Sequence, residues 1–324
     1  MQPSHTNFAV TNFSNSGASG LYDRARPDYP SAALQPIFEC IKQGPSNDGR
    51  CKVLELGSGT GIFTRCFLQA DSEHIIQEVL AVEPSSGMRE GFVKALQKIE
   101  LAGRKVETVD GLFHRIPADD ASYDIMVVAQ AWHWCVGADH EKSLREMRRV
   151  LKKGGHLVLI WNLEDRESAS WVAQIRDVYE SYEKGVPQYR TGEWKKMFEL
   201  ESYSSLFGPA SEVHHSRTIE TTRQGVKDRV ASKSYITALD DGEREKVMRG
   251  VDAILDRGEG ISWINREEGT FHYPYKTDVY IMKSHEGAVT RSVVILSNMP
   301  SSPATTTLNA ILLPVETSHW LAWT

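Results

Sequence analysis

The stretch VLELGSGTG, residues 53–61, constrains this chain more than any other. A short apolar strand carries an acid, Glu55, near its end and runs into three glycines at alternate positions, Gly57, Gly59 and Gly61. A turn that brings backbone close to a ligand needs residues without a Cβ, so the segment reads as a cofactor loop between a strand and a helix. Dinucleotide loops space their glycines as G-x-G-x-x-G and set pyrophosphate on the helix N-terminus. Here Ile62 stands where such a loop wants its third glycine. That spacing argues against a nicotinamide oxidoreductase, while a nucleoside-carrying cofactor remains the leading reading of the loop.

The remaining composition narrows the class. With 324 residues, 40% hydrophobic and 25% charged, the chain can bury a large core, as a globular enzyme does. A formal net charge of -6 leaves no basic field, so no nucleic-acid partner is expected and a small-molecule substrate is favoured. Cys40, Cys51, Cys66 and Cys135 show no C-x-x-C spacing, so neither a metal site nor a disulfide framework is expected. The start MQPSHTNFAVTNFSNSG has neither the basic beginning nor the apolar run of a signal peptide, and no apolar segment is long enough for stable membrane insertion. A cytoplasmic location is expected.

Residues 1–20, rich in Ser, Asn and Thr, read as a flexible arm. From Lys52 the chain alternates. KVLEL, EVLAVE, KVETV, YDIMVV and HLVLIW are short apolar strands of the kind buried on both faces, and helical repeats stand between them. In HEKSLREMRRVLKK, Leu144, Met147, Val150 and Leu151 make one stripe, which leaves the basic residues on a solvated face. This order predicts an α/β fold: a doubly wound, Rossmann-like, mostly parallel seven-stranded sheet with helices on both faces and a helical cap. The main domain is expected over 21–283 and the cap insertion over about 164–208. The low-charge tail, 284–324, is unlike the rest and is read as atypical.

Ligands of such sheets bind at the carboxyl ends of the strands. The second strand ends at Glu83, where a carboxylate can accept from both hydroxyls of a ribose. After the third strand, Gly111, Leu112 and Phe113 offer backbone amides and a ring for a base, and Asp110 is a further candidate. The fourth strand ends at Gln130 and runs into AWHW. Trp132 and Trp134 can face a cation, a contact worth about 0.5 to 2 kcal/mol, or can be core aromatics. His133 is a candidate general base, since neutral imidazole can take a proton from a hydroxyl, or a structural histidine.

With the alternate glycines, the strand-end acid and the AQAWHW segment in place, the chain resembles the class I S-adenosylmethionine-dependent methyltransferases, in the type 11 group. YDRARPDYP, AWHW and SKSYI are similar to the branch containing trans-aconitate methyltransferase-like proteins of fungi and bacteria. The resemblance implies S-adenosylmethionine as cofactor. It implies a flap from Tyr22, Arg26 and Tyr29, and a methionine-end cradle from Glu55, Gly57, Ser58 and Gly59. Glu83 and Met88 would lie on the ribose and adenine side, and Gln130 near the sulfonium. The family often has an acid directly after the glycine of the third strand end, where this chain has Leu112.

The implied reaction is an in-line attack of an acceptor atom on the sulfonium methyl, in which orientation supplies several kcal/mol, about 7 to 11 at the upper end. A carboxylate acceptor needs no base, whereas a hydroxyl would draw on His133. Arg190, with Trp194 beside it, can anchor an acid from the cap or hold the cap shut. O-methylation of an organic acid or secondary metabolite is the favoured reading. A protein or RNA methyltransferase, a non-catalytic adenosylmethionine-binding scaffold and an oxidoreductase are the alternatives.

Overall fold

The protein is described by a computed structural model over residues 16–46 and 49–286. Helix α1 (Ser16–Ala25) lies partly inside the segment expected to be a loose arm, and residues 1–15 fall outside the described region. So does the expected tail from residue 287 onward. Then follow α2 (Ser31–Lys42), β1 (Cys51–Leu56), α3 (Ile62–Ala70), β2 (Ile76–Val82), α4 (Ser86–Leu96), β3 (Lys105–Val109) and β4 (Tyr123–Ala129). After a 3₁₀ turn at Trp132–Trp134 come α5 (Asp139–Val150) and β5 (Leu151–Glu164). The described elements continue with α6 (Ser170–Glu180), α7 (Glu201–Leu206), β6 (Ser211–Thr222), α8 (Arg223–Ala231), α9 (Ser234–Thr237), α10 (Asp241–Arg257), β7 (Trp263–Asn265) and β8 (Thr270–Lys283).

The strands form one sheet in the order β3-β2-β1-β4-β5-β8-β6, with β7 paired to β8. Strands β1 to β5 are mutually parallel, and β8 runs antiparallel to β5, β6 and β7. All seven residues of β4 are buried, because parallel strands are covered on both faces by their crossover helices. One face packs Leu54, Met126 and Leu157 against Leu144 and Met147 of α5. The other packs Val53, Val127 and Val158 against Leu34 and Ile37 of α2 and Phe67 of α3. A third cluster joins α6, α8 and α10 to β8 through Trp171, Val226, Val251 and Phe271. Among the described residues no helix is long and apolar enough to cross a membrane.

Two elements differ from the sequence expectation. The helical stripe was carried through Leu151 into the two lysines, but α5 stops at Val150 and Leu151 already pairs with Tyr123 of β4. Pairing resumes at His156, after Gly154 at φ +71° and Gly155, where a Cβ would lie 2.8 Å from the Asp124 carbonyl oxygen. That close crossing draws the lysine pair into extended chain. The sheet also gains an eighth strand, β7, whose three residues are too few to display a period.

Strand order reverses at β1 and β4, which opens a crevice at their carboxyl ends. What aims β2 at this crevice is Asp71. Its carboxylate accepts from the backbone N–H groups of Ile75 and Ile76, each at 3.0 Å, and pairs with Arg104 at 3.0 Å. Both side chains of the pair are buried. Asp71→Ala leaves a buried guanidinium without its partner, so a loss of about 3 to 5 kcal/mol is expected in urea denaturation. Asp71→Asn, which keeps an acceptor for the amides, should lose less.

Candidate functional site

The glycine loop after β1 is built from left-handed backbone, with Gly57 at φ +68°, Gly59 at +54° and Gly61 at +78°. The three glycines have different reasons. A Cβ on Gly57 would lie 2.6 Å from that of Ala131 beyond β4, and one on Gly61 would strike the Phe92 ring at 2.5 Å. Gly59 has no such neighbour, so its need is conformational, and its N–H donates to Glu83 Oε2 at 3.0 Å. Glu83 Oε1 accepts from the Ser85 N–H at 2.9 Å. Burial pushes the Glu83 carboxyl pKa up, while these two amides favour the charged form.

Between the loop and the end of β4 lies a cleft of about 740 Å³, counting its open mouth. Tyr22, Gly57, Gly59, Glu83, Met88, Gly111, Leu112, Phe113, Gln130 and Trp134 line it. Glu55, Ser58 and Arg26 line a recess that opens off it beside Tyr22 and Gln130. The Ser58 hydroxyl is buried and has no partner among the described residues. Asp110 stands outside the cleft wall, bonded to Arg89 at 3.2 Å. Gly111 is fixed by packing, since a Cβ there would meet Val82 at 2.5 Å.

Gln130 is held at φ +58°, a conformation costly for a residue with a side chain, of order 1 to 3 kcal/mol. Its N–H donates to the Ile160 carbonyl at 2.8 Å and its side-chain amide to the Asn162 carbonyl at 2.7 Å. Those bonds place it on the wall shared with a second cleft, of about 670 Å³, to which Tyr22 and Trp134 also belong. Arg26, His133, Glu183, Arg190, Arg229 and Lys233 bring charge or titratable groups to that second cleft.

Of the remaining candidate side chains, Trp132 and Trp194 lie in the core, while Arg190 and His133 line the second cleft. Trp132 is fully buried, stacked on His140 with ring centroids 5.4 Å apart, and lines neither cleft. Trp194 is likewise core. Its indole N–H donates to the Tyr189 carbonyl at 3.0 Å and its ring packs on Trp161 at 4.5 Å. Arg190 does face the second cleft, but its guanidinium is bound to Glu183 and lies 3.3 Å from Glu180, so its charge is already answered. His133 accepts at Nδ1 from the Trp161 indole N–H at 3.3 Å. Burial, with the Arg26 charge nearby, pushes its pKa down to about 3.

The residues that sequence reasoning missed are Glu164, Arg229 and Lys233. Glu164 is wholly buried at the end of β5, 2.8 Å from Arg229 Nε and 3.2 Å from Lys233 Nζ. Burial alone would raise its pKa, yet the two cations hold it well below the usual carboxylate range. Lys233 sits 4.1 Å over the Tyr179 ring, and burial together with Arg229 lowers its pKa to about 7. Arg229 Nη1, Arg26 Nε and Glu164 Oε2 have no partner among the described residues. SKSYI held the only signal. Nothing in its spacing shows that Lys233 meets β5 across the fold.

Glu55 offers a direct check on the loop. It is buried, accepts from the Thr64 hydroxyl, and is pushed by burial up to about 8. An unfolded Glu titrates at about 4.3. The folded protein therefore binds this proton more tightly, and the contribution is full below about pH 4.3 and lost as pH rises through 8. Glu55→Gln, which stays neutral, should gain on the wild type in urea midpoint from pH 5 to pH 8.

The pattern of a methyltransferase domain matches residues 54–159, from β1 to the middle of β5. An uncharacterized methyltransferase-like protein of Schizosaccharomyces pombe is 28% identical over 233 residues, which cover 72% of this chain and 82% of the relative. An uncharacterized methyltransferase of the same yeast is 31% identical over 237 residues, covering 72% and 84%. Among solved structures, a candidate type II methyltransferase from Anaeromyxobacter dehalogenans aligns with a TM-score of 0.50 at 16% identity, over 79% of this chain and 97% of that one. That likeness concerns the fold. Pattern, relatives and loop agree, and the chain belongs to the class I S-adenosylmethionine-dependent methyltransferases of the type 11 group.

Proposed function

We propose that the protein methylates an oxygen of a small organic acid held in the second cleft. The observation that carries this reading is an imbalance of buried charge. Arg26, Arg229 and Lys233 line the cleft around the single carboxylate of Glu164, and two of the arginine nitrogens lack partners among the described residues. Glu180 and Glu183 are answered by Arg176 and Arg190. An anionic acceptor completes the set, since unpaired charge away from water is costly.

The residues of the first cleft fit S-adenosylmethionine. Gly57 and Gly59 keep the floor free of side chains, the Ser58 hydroxyl in the adjoining recess is buried with no partner among the described residues, and Glu83 presents acceptors for a ribose. When bound, the cofactor supplies an electrophilic methyl group. The chain's part is placement. Tyr22, Gln130 and Trp134 belong to both clefts and so form the passage through which donor and acceptor meet. The cationic group holds the acceptor's charge and turns an oxygen toward that passage.

Titration with S-adenosylmethionine, S-adenosylhomocysteine and NAD(P)H tests the cofactor. The first two should bind and the last should not; Glu83→Ala should weaken them about 10- to 100-fold, as loss of a hydrogen bond to a charged group implies. Turnover of a panel of mono-, di- and tricarboxylates, read by the mass of a methyl group, tests the acceptor. Lys233→Met should raise the acceptor KM about tenfold or more and leave cofactor affinity unchanged. Cofactor binding without turnover of any acceptor would favour the scaffold reading.

A further inference from the structure

We infer that His133 acts on the acceptor as a hydrogen-bond donor through Nε2, locked in that tautomer by Trp161, and takes no proton from it. The inference deepens the methyl-transfer reading and rests on it for what the donor meets. The tautomer itself rests on geometry alone.

An indole N–H only donates. With Trp161 Nε1 3.3 Å from His133 Nδ1, that imidazole nitrogen must offer its lone pair, and the single proton of the neutral ring lies on Nε2. Trp161 has no freedom to turn away. It is fully buried, stacked on Tyr189 with centroids 4.5 Å apart and planes 20° apart, and packed against Trp194 and Tyr280. Imidazolium would set a second N–H against the indole N–H, so the charged ring is opposed by geometry as well as by burial.

A histidine that serves as a base is commonly oriented by an acid at its other nitrogen. Here a donor occupies that place, the opposite arrangement. The charged groups sharing the cleft are Arg26, Glu180, Glu183, Arg190, Arg229 and Lys233. Both carboxylates among them are bound by arginines, and neither bonds to His133 among the described residues. The ring lines the cleft beside Gln130 and Trp134, where the two clefts join. A proton on Nε2 there can meet an acceptor oxygen.

The chemistry then selects its acceptor. An oxygen attacks the methyl carbon, a C–O bond forms, the C–S bond breaks, and its electron pair stays on sulfur. If the oxygen belongs to a carboxylate, no proton is left over and the product is a neutral ester. An alcohol would leave one proton on the product oxygen, and His133 has no free lone pair to take it. With His133 unable to serve as the base, an oxygen that arrives ionised, as a carboxylate does, is the acceptor this ring suits, and His133 orients it.

Long-range 1H–15N spectra of the full chain labelled with [15N]histidine, with His133 identified by its loss in His133→Asn, read the tautomer directly. The Nε2–H form is expected to persist from about pH 5 to 8, the range in which an ordinary histidine titrates. Trp161→Phe should release a mixture of tautomers. An Nδ1–H form in the wild type, or a titration inside that range, overturns the inference. In turnover of the panel carboxylates, His133→Gln, whose amide N–H restores a donor, should keep kcat/KM within about tenfold, and His133→Leu should lose more, about 10- to 100-fold. Equal losses in both would overturn it too. Failure of S-adenosylmethionine to bind the wild type would instead remove the methyl-transfer reading and leave the spectral result standing.

Discussion

The contact on which the rest of the site depends is the Glu83 carboxylate, which accepts from Gly59 on one oxygen and from Ser85 on the other. It ties the turn after β1 to the end of β2, across the point where strand order reverses. The Gly59 amide can reach it only because the loop runs through left-handed backbone. Charge at Glu83 also has to be kept against burial, and the two amides do this from fixed backbone rather than from mobile side chains. Asp71 and Arg104 set the position of β2 from its opposite end. The cleft is thus framed by backbone held at both ends of one strand.

The second cleft is governed by the opposite rule. Its walls carry side-chain charge, and the charges do not cancel. Glu164 answers Arg229 and Lys233 together, which lets it stay ionised with no exposure at all. Lys233 is the group that yields. Burial, and then the Arg229 guanidinium beside it, outweigh its share of the Glu164 carboxylate, and its pKa falls to about 7. Part of the imbalance is thereby relieved by loss of a proton near neutrality, which a bound anion would reverse.

The parallel strands, the glycine turn and the acid at the end of β2 were legible because each follows from local chemistry. A strand buried on both faces reads as an apolar run, and a turn at positive φ reads as glycine. The second cleft was not legible, because its residues meet through tertiary packing. Trp132 and Trp194 have the composition of a binding wall but are fully buried, packed on His140 and Trp161 respectively. For Arg190 the sequence left an anchor and a salt link equally open, and the ion pairs to Glu183 and Glu180 are contacts that only the folded chain displays. Lys233 and Glu164 are paired across 69 positions of chain, and no periodicity carries that information.

One helix joins the two clefts in a single piece of machinery. Tyr22, in α1, lines both, and Arg26 just beyond it lies with its guanidinium 4.6 Å from the Tyr22 ring. Arg26 also donates to the Ser232 carbonyl at 3.0 Å, at the end of α8. Arg217 on β6 fastens the following residues by binding Asp28 at 2.6 Å, and the Asn162 amide donates to the Asp28 carbonyl at 3.0 Å. The same segment therefore roofs the cofactor loop and supplies a cation to the acceptor wall. Tyr22 and Arg26 are four positions apart on one continuous piece of chain, so the placement of that piece sets a wall of both clefts at once.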